Sequence, residues 1–328
     1  MINIMKICKK RYIFITIFII LIILVPFIQK RTCLSQKRDS IISENGNKGS
    51  DYLVLPYTLG RPLKKYKLPH CLDEISGLSF LSQNMLACIQ DEKGILYVFD
   101  LEKGKVIEKL AFGEERDYED IEVVEKNAYI LQSNGTILKV KNIGDGTPKV
   151  KKYNTRLSKK NDAEGLAYDD ESNALLIACK DSPYLKKKSR TLNGKRAIYR
   201  FDLGTGKISK KPVCIIDMED LKYHNDYFLY TKSFIGVIKR LNPLRSNINF
   251  CPSGIAIHPK TKNLYIISSV DKMLIVLNRE GQIISTNKLN KKIFKQPEGI
   301  CFNSEGDLFI SNEKNGSRAN ILMFNYKQ

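Results

Sequence analysis

Residues 252–269 read PSGIAIHPKTKNLYIISS, and this stretch contains the pattern that decides the fold. An apolar strand leads into a turn rich in Pro, Lys, Thr and Asn, and a second apolar strand follows the turn. The next residues supply two more strands, Met273 to Asn278 and Gln282 to Ser285. Four short strands joined by tight turns are typical of one blade of a β-propeller.

The phrase that opens this stretch recurs along the chain. In each copy a hydroxyl or acidic residue is followed by Gly, or once by Asp, and then by an apolar residue. The copies are Ser76-Gly77-Leu78, Glu119-Asp120-Ile121, Glu164-Gly165-Leu166, Ser253-Gly254-Ile255 and Glu298-Gly299-Ile300. They are separated by 43, 45, 89 and 45 residues, which indicates stacked units with one long insertion. We predict five blades, and the alternative is a sixth, degenerate blade inside the 89-residue step.

The last unit offers only three strands, within 300–302, 307–311 and 320–326. Tyr66-Lys67-Leu68 precedes the first unit and is predicted to supply the fourth strand. This closure would remove the unpaired strand edge that a linear array leaves exposed. The predicted fold class is all-β, a five-bladed β-propeller at residues 52–328 preceded by one N-terminal transmembrane helix.

That helix is predicted at residues 12–28, an uncharged apolar run near the lower length limit for a membrane span. No small-x-small cleavage site follows it, which favours an uncleaved anchor. A basic segment at 1–11 precedes the anchor, and the polar residues 29–51 predict a flexible linker. Because basic residues flank the run on both sides, charge does not decide its orientation.

The chain has 54 basic and 35 acidic residues, for a net charge of +19. The lysines are scattered, with no Arg-rich helix and no basic track interleaved with aromatic residues, so we expect no nucleic-acid partner. Lysine-rich loops around 186–188 make an anionic envelope ligand, a polysaccharide or a lipid, one candidate partner. None of the eight cysteines forms a CxxC pair, which argues against a zinc site. We expect a monomer.

On a propeller, the first residue of each phrase should face the central channel near one mouth. This predicted ring is Ser76, Glu119, Glu164, Ser253 and Glu298. The second strand of each blade returns to the same mouth and is expected to add Asp91, Asp181 and Glu313. Converging glutamates repel one another, and an all-oxygen donor set suits Ca²⁺. The sequence therefore predicts a calcium site, and the alternative is that the glutamates accept backbone N–H groups of neighbouring blades.

Nucleophilic catalysis has little support in the sequence. There is no GxSxG elbow, and of the three histidines His258 belongs to a turn at the opposite end of its inner strand. We predict no catalytic residue, although metal-activated water with a carboxylate base remains compatible with the ring.

The phrases and their flanks resemble the SdiA-regulated domain family of bacterial envelope proteins. The matching stretches are Ile75-Ser76-Gly77-Leu78, residues 117–122, residues 163–168, residues 252–256 and Pro297-Glu298-Gly299-Ile300. The resemblance spans nearly all of residues 52–328 and implies a five-bladed propeller, distantly similar to NHL-repeat propellers, with calcium among the channel residues. Carried over by position, it favours Glu119, Glu164 and Glu298 as ligands, while Asp120 departs from the usual glycine.

The family's usual location implies a single-pass inner-membrane protein with the propeller on the periplasmic side. Its biochemical role is not established, so the resemblance supplies a fold and a metal but no substrate. We expect a membrane-anchored, calcium-binding module that binds or scaffolds an unidentified ligand rather than an enzyme. The alternative is a calcium-dependent hydrolase of lactones or phosphoesters.

Overall fold

The computed structural model describes residues 53–141, 143–144, 147–185, 194–222 and 248–327. The predicted anchor at 12–28, the linker at 29–51 and the lysines at 186–188 lie outside these residues. Where the chain is described, no helix has both the length and the apolar character needed to cross a membrane. The described residues form five antiparallel sheets, one for each phrase.

Each sheet is a propeller blade with its strands in sequence order. Blade 1 contains β2 (Ile75–Ser82), β3 (Met85–Gln90), β4 (Ile95–Asp100) and β5 (Lys105–Ala111). Blade 2 contains β6 (Tyr118–Val124), β7 (Asn127–Gln132), β8 (Ile137–Lys141) and β9 (Lys149–Tyr153). Blade 3 contains β10 (Ala163–Asp169), β11 (Ala174–Cys179), β12 (Lys195–Asp202) and β13 (Lys207–Ile208), and β14 (Cys214–Asp217) also pairs with β12. Blade 4 contains β15 (Pro252–Ile257), β16 (Leu264–Ser268), β17 (Met273–Leu277) and β18 (Ile283–Lys288).

Blade 5 is completed by the N-terminal end of the propeller. Its strands are β19 (Pro297–Phe302), β20 (Leu308–Asn312), β21 (Asn320–Phe324) and β1 (Lys64–Lys67). β1 pairs antiparallel with β21, and Tyr66 lies opposite Ile321. The predicted closure is confirmed: the first strand of the propeller supplies the outer strand of the last blade.

The core consists of apolar clusters between successive blades. Tyr97, Phe99 and Phe309 pack between blades 5 and 1, and the other four junctions have clusters of the same kind. Strands contribute to two clusters because alternate side chains point to opposite faces. The five-bladed ring thus follows from apolar residues on both faces of each inner and middle strand.

The phrase glycines allow the inner strands to approach closely around the channel. A Cβ atom on Gly254 would lie 2.5 Å from the carbonyl oxygen of Glu298 in the next blade, and one on Gly77 would lie 2.7 Å from the Cα of Asp120. At the junction of blades 2 and 3, Asp120 stands in the glycine position. Its carboxylate accepts the backbone N–H of Leu166 at 2.7 Å, so a side-chain hydrogen bond joins blades 2 and 3 there.

Candidate functional site

The first residue of every phrase lies in a β-bulge at the start of an inner strand. In blade 1 the pairing passes from Ile75 opposite Gln90 to Gly77 opposite Ile89, which leaves Ser76 without a partner on β3. The same shift leaves out Glu119, Glu164 and Ser253, and in blade 5 it leaves out Glu298 together with Gly299. Bulges re-aim side chains and are common near functional sites. The recurring phrase is therefore the sequence signature of a recurring bulge.

Three of the bulged side chains share one end of the channel. The inner strands β2, β6, β10, β15 and β19 contact one another in a ring. Glu164 of blade 3 interacts electrostatically with Glu119 of the neighbouring blade 2. It also interacts with Glu298 of blade 5, which is not its neighbour in the ring. An interaction between non-adjacent blades has to cross the channel, which places the three glutamates toward the same end of it.

A lysine lies among them. Lys180 Nζ is 2.6 Å from Glu164 Oε1 and 3.7 Å from Asp162 Oδ2. Its positive charge also acts on Glu119 and Glu298. We call Glu119, Glu164, Glu298 and Lys180 the channel mouth.

Lys180 was missed by sequence reasoning, although the position was predictable. The first residue after the second strand returns to the mouth in every blade, and these residues are Asp91, Ser133, Lys180, Ser269 and Glu313. In blade 3 the sequence analysis selected Asp181, which lies one residue further on and is exposed. Counting from the end of each strand, rather than searching for an oxygen donor, would have found the lysine.

Burial and mutual repulsion keep protons on the acids of the channel mouth. Burial, then the charge of Glu164 and then that of Asp117 hold the pKa of Glu119 well above its ordinary value. Burial, followed by the charges of Glu164 and Glu313, raises the pKa of Glu298 to about 8. Burial also raises the pKa of Glu164, but Lys180 opposes this effect. One lysine is thus too little positive charge for one buried and two half-buried carboxyl groups.

The remaining predicted residues have different surroundings. Burial, then Glu74 and Glu92, raises the pKa of Asp91 to about 6. The pKa of Glu313 is raised by burial and then by Asp91, and its carboxylate accepts a hydrogen bond from Gln296. Asp91 and Glu313 therefore lie close together, on the side of blades 1 and 5.

The two serines of the ring differ from each other. The Ser253 hydroxyl donates to the carbonyl oxygen of Pro297 at 2.9 Å and so ties blade 4 to blade 5. The Ser76 hydroxyl and Asp91 Oδ1 are buried and have no hydrogen-bond partner among the described residues. Ser76 and Asp91 each have a polar oxygen atom free to bind a ligand, whereas the Ser253 hydroxyl is already hydrogen-bonded.

The donor set is all oxygen, but it is not arranged as a finished metal site. Among the described residues, no three His, Cys, Asp or Glu side chains are grouped closely enough to hold a metal ion. Calcium would therefore require the carboxyl groups to draw together, give up protons and release Lys180. The alternative role of the glutamates was to accept a backbone N–H of the neighbouring blade. Between blades 2 and 3, Asp120 accepts such a hydrogen bond from Leu166.

His258 has a structural environment. It is fully buried in an aromatic cluster with Tyr57, Tyr265 and Tyr326, and its Nδ1 accepts the backbone N–H of Thr261 at 3.1 Å. Burial lowers its pKa to about 4. The imidazole is thus neutral at physiological pH and caps its own turn.

Comparison with solved structures supports the architecture alone. Myxococcus xanthus glutaminyl cyclase is similar with a TM-score of 0.50 at 9% identity, over 81% of this chain and 95% of that one. A PQQ-bound aldose sugar dehydrogenase from Streptomyces coelicolor gives 0.47 at 11% identity, over 80% and 97%. A streptogramin B lyase gives 0.41 at 12% identity, over 76% of this chain and only 65% of the lyase. At such identities a shared fold carries no activity from one protein to another.

Comparison of sequences is more specific. No curated protein matches the chain. The profile of the SdiA-regulated family matches residues 59–231 and 239–316, which include all five phrases. The chain therefore belongs to the SdiA-regulated family.

Proposed function

We propose that this protein is an interaction module of the bacterial cell envelope that binds calcium at its channel mouth. An N-terminal anchor would hold it at the inner membrane, with the propeller on the periplasmic side. The observation that carries the proposal is the convergence of Glu119, Glu164 and Glu298 from three blades around a single lysine.

The chemistry of the mouth favours a cation that replaces protons. Glu119 and Glu298 retain protons at neutral pH because their charges cannot all be accommodated in a buried space. When bound, calcium supplies two positive charges and accepts several oxygen ligands with flexible geometry. Glu119, Glu164 and Glu298 would hold it, and Ser76 and Asp91 offer further oxygen atoms whose hydrogen-bonding capacity is free.

Lys180 gives this proposal a distinctive feature, because it already neutralises part of the mouth. Its ammonium group and a metal ion compete for Glu164. Calcium affinity should therefore be moderate in the natural protein and should rise when Lys180 is replaced by Met.

Calorimetric titration of the chelator-stripped full chain tests the proposal. We expect calcium to bind in preference to magnesium and to release protons, which is detected by comparing buffers of different ionisation enthalpy. Affinity should increase with pH between about 6 and about 8, as Glu298 loses its proton. Glu119→Gln should reduce both affinity and proton release.

Glu305→Gln is the matched control, because Glu305 is an exposed acid of the same blade as Glu298. It should leave calcium binding unchanged. Absence of calcium binding, or equal losses in the Glu119 and Glu305 variants, would refute the assignment.

Hydrolysis of lactones or phosphoesters is the alternative function. A hydrolase needs a deprotonated general base beside its metal, and Glu119, Glu164 and Glu298 would all be engaged in holding the ion. The arrangement of the channel mouth thus supports binding of an ion more directly than catalysis. A hydrolase panel with and without calcium separates the two functions.

A further inference from the structure

A second charged region lies where the ring closes, between blades 5 and 1. It is a cavity of about 390 Å³ bordered by β1, β5 and the loop before β21. Its lining includes four cationic side chains and no acidic residue: Lys67, Lys105, Lys109 and Arg318. We call these four residues and the space between them the seam groove.

The cations of the seam groove have no acidic partner. None of the ion pairs among the described residues includes any of the four. The neighbouring cavity, of about 370 Å³, also touches Arg318. There Lys314 is neutralised by Asp73, with 2.7 Å between Nζ and Oδ2. Of these two adjoining cavities, only the one beside Lys314 is lined by an acidic residue.

The positions of these side chains are set by regular structure. Lys67 lies on β1, opposite Asn320 of β21, and Lys105 and Lys109 lie on β5. The Lys109 ammonium group lies above the Tyr97 ring, 5.8 Å from its centroid, and Tyr97 is itself buried in the core. A cation held over an aromatic face needs less ordering when a ligand binds.

Like charges at a concave surface raise each other's energy and focus the field on the space between them. A bound anion relieves this repulsion. Arginine presents a planar fork that matches phosphate oxygens, and lysines add point charges around it. The volume exceeds that of a single phosphate group, so an esterified phosphate has room.

We propose that the seam groove binds a phosphate-bearing anion. The chemistry is shared by two sources, a soluble phosphorylated solute and the headgroup of an anionic phospholipid. The site is separate from the channel mouth and does not depend on the calcium proposal.

The test uses the full chain in chelator, so that calcium plays no part. Inorganic phosphate and pyrophosphate are titrated by calorimetry, and binding to vesicles is compared for purely zwitterionic lipid and for the same lipid with added anionic phospholipid. Affinity should fall between about 50 and about 200 mM salt because exposed charges are screened. The double variant K105Q/K109Q should weaken binding by about tenfold or more, since it removes two charge-assisted contacts.

The matched control is K149Q/K151Q on β9, the outer strand of blade 2. These lysines are also exposed, Lys151 also lies over a tyrosine ring, and the variant loses the same net charge. Its affinity should stay within about twofold of the natural protein if the groove is specific.

Pyrophosphate binding that is lost only in K105Q/K109Q supports the proposal with a soluble ligand. A preference for anionic vesicles that is lost only in the same variant supports it with a lipid headgroup. Equal weakening in both double variants would show that net charge alone attracts anions. That result, or no binding to any of the probes, overturns the proposal.

Discussion

The channel mouth and the seam groove both concentrate charged side chains, but the mouth encloses mainly acids and the groove exposes only bases. At the mouth, three acids, of which Glu164 is buried and the other two are half-buried, surround one lysine, and burial raises their pKa values. In the groove, the four basic side chains are exposed and no acidic residue lines the space between them. Buried charges respond to pH because protonation is the cheapest way to remove them. Exposed charges stay ionised and respond to salt instead.

This difference also shows why a net charge of +19 says little about any one site. Lysines scattered over the chain produce the positive net charge. The acids concentrated at the channel mouth are not apparent from that value. The place of a charge in the propeller decides its chemistry, so the two regions should separate cleanly by experiment.

The largest expected effect is a loss of stability with rising pH, to which the mouth contributes together with Glu122, whose pKa burial raises to about 8. The pKa of Glu298 is 4.5 ordinarily and about 8 in the folded protein. Its contribution to folding is therefore complete below about pH 4.5 and is lost as pH rises toward about 8. Each such group changes the free energy of unfolding by at most about 1.4 kcal/mol per pH unit. Urea unfolding of the chelator-stripped protein between about pH 5 and about pH 8 measures the slope.

Glu298→Gln should reduce this slope by up to about 1.4 kcal/mol per pH unit, because the amide cannot ionise. Glu305→Gln should leave it unchanged. Acids with lowered pKa do not obscure the result: the hydrogen bond from Lys314 lowers the pKa of Asp73, so it titrates below 3.8, outside the window. A flat profile in the natural protein would mean that water or ions already neutralise the mouth.

A smaller effect is expected from Lys180→Met, which leaves the acids of the mouth without their cation. Removing one partner of a fully buried ion pair costs about 3 to 5 kcal/mol. Lys180 is 37% exposed and Glu164 only 9%, so we expect about 1 to 3 kcal/mol after allowance for screening. Urea unfolding at neutral pH gives the change in free energy.

The double variant Lys180→Met with Glu164→Gln separates the pair from other effects. Glu164→Gln in the Lys180→Met background should restore much of the lost stability, because no buried carboxylate is then left unpaired. If the two changes simply add, Lys180 stabilises the blade through packing and not through the mouth.

The fold could be predicted from the sequence because the strand pattern of one blade recurs five times. Apolar alternation sets the strands, and the phrase spacing sets the number of blades. Closure by β1 followed from the missing strand of blade 5. The positions of Glu119, Glu164 and Glu298 could also be predicted, since each is the second residue of an inner strand.

Other features could not be predicted because they depend on contacts between blades. The phrase marks where each bulge lies, but that it is a bulge is visible only in the strand register. Lys180 is not an oxygen donor, so the metal-ligand pattern does not include it, although its position after β11 matches those of Asp91 and Glu313 after β3 and β20. Asp120 looked like a defect in the phrase and instead bonds the next blade. The seam groove joins β1 and β5 across the closure, which local patterns do not describe.

The smallest effect on stability is expected in the seam groove itself. K105Q/K109Q should change the free energy of unfolding by less than about 0.5 kcal/mol, because neither lysine forms an ion pair with an acid in the described part of the chain. Any change should be a slight stabilisation at low salt, through relief of repulsion, and should vanish at high salt. The pH slope should match that of the natural protein, which distinguishes the groove from the mouth. A loss of more than about 1 kcal/mol in the free energy of unfolding would show that these lysines hold blades 5 and 1 together. Their role would then be structural and not the binding of an anion.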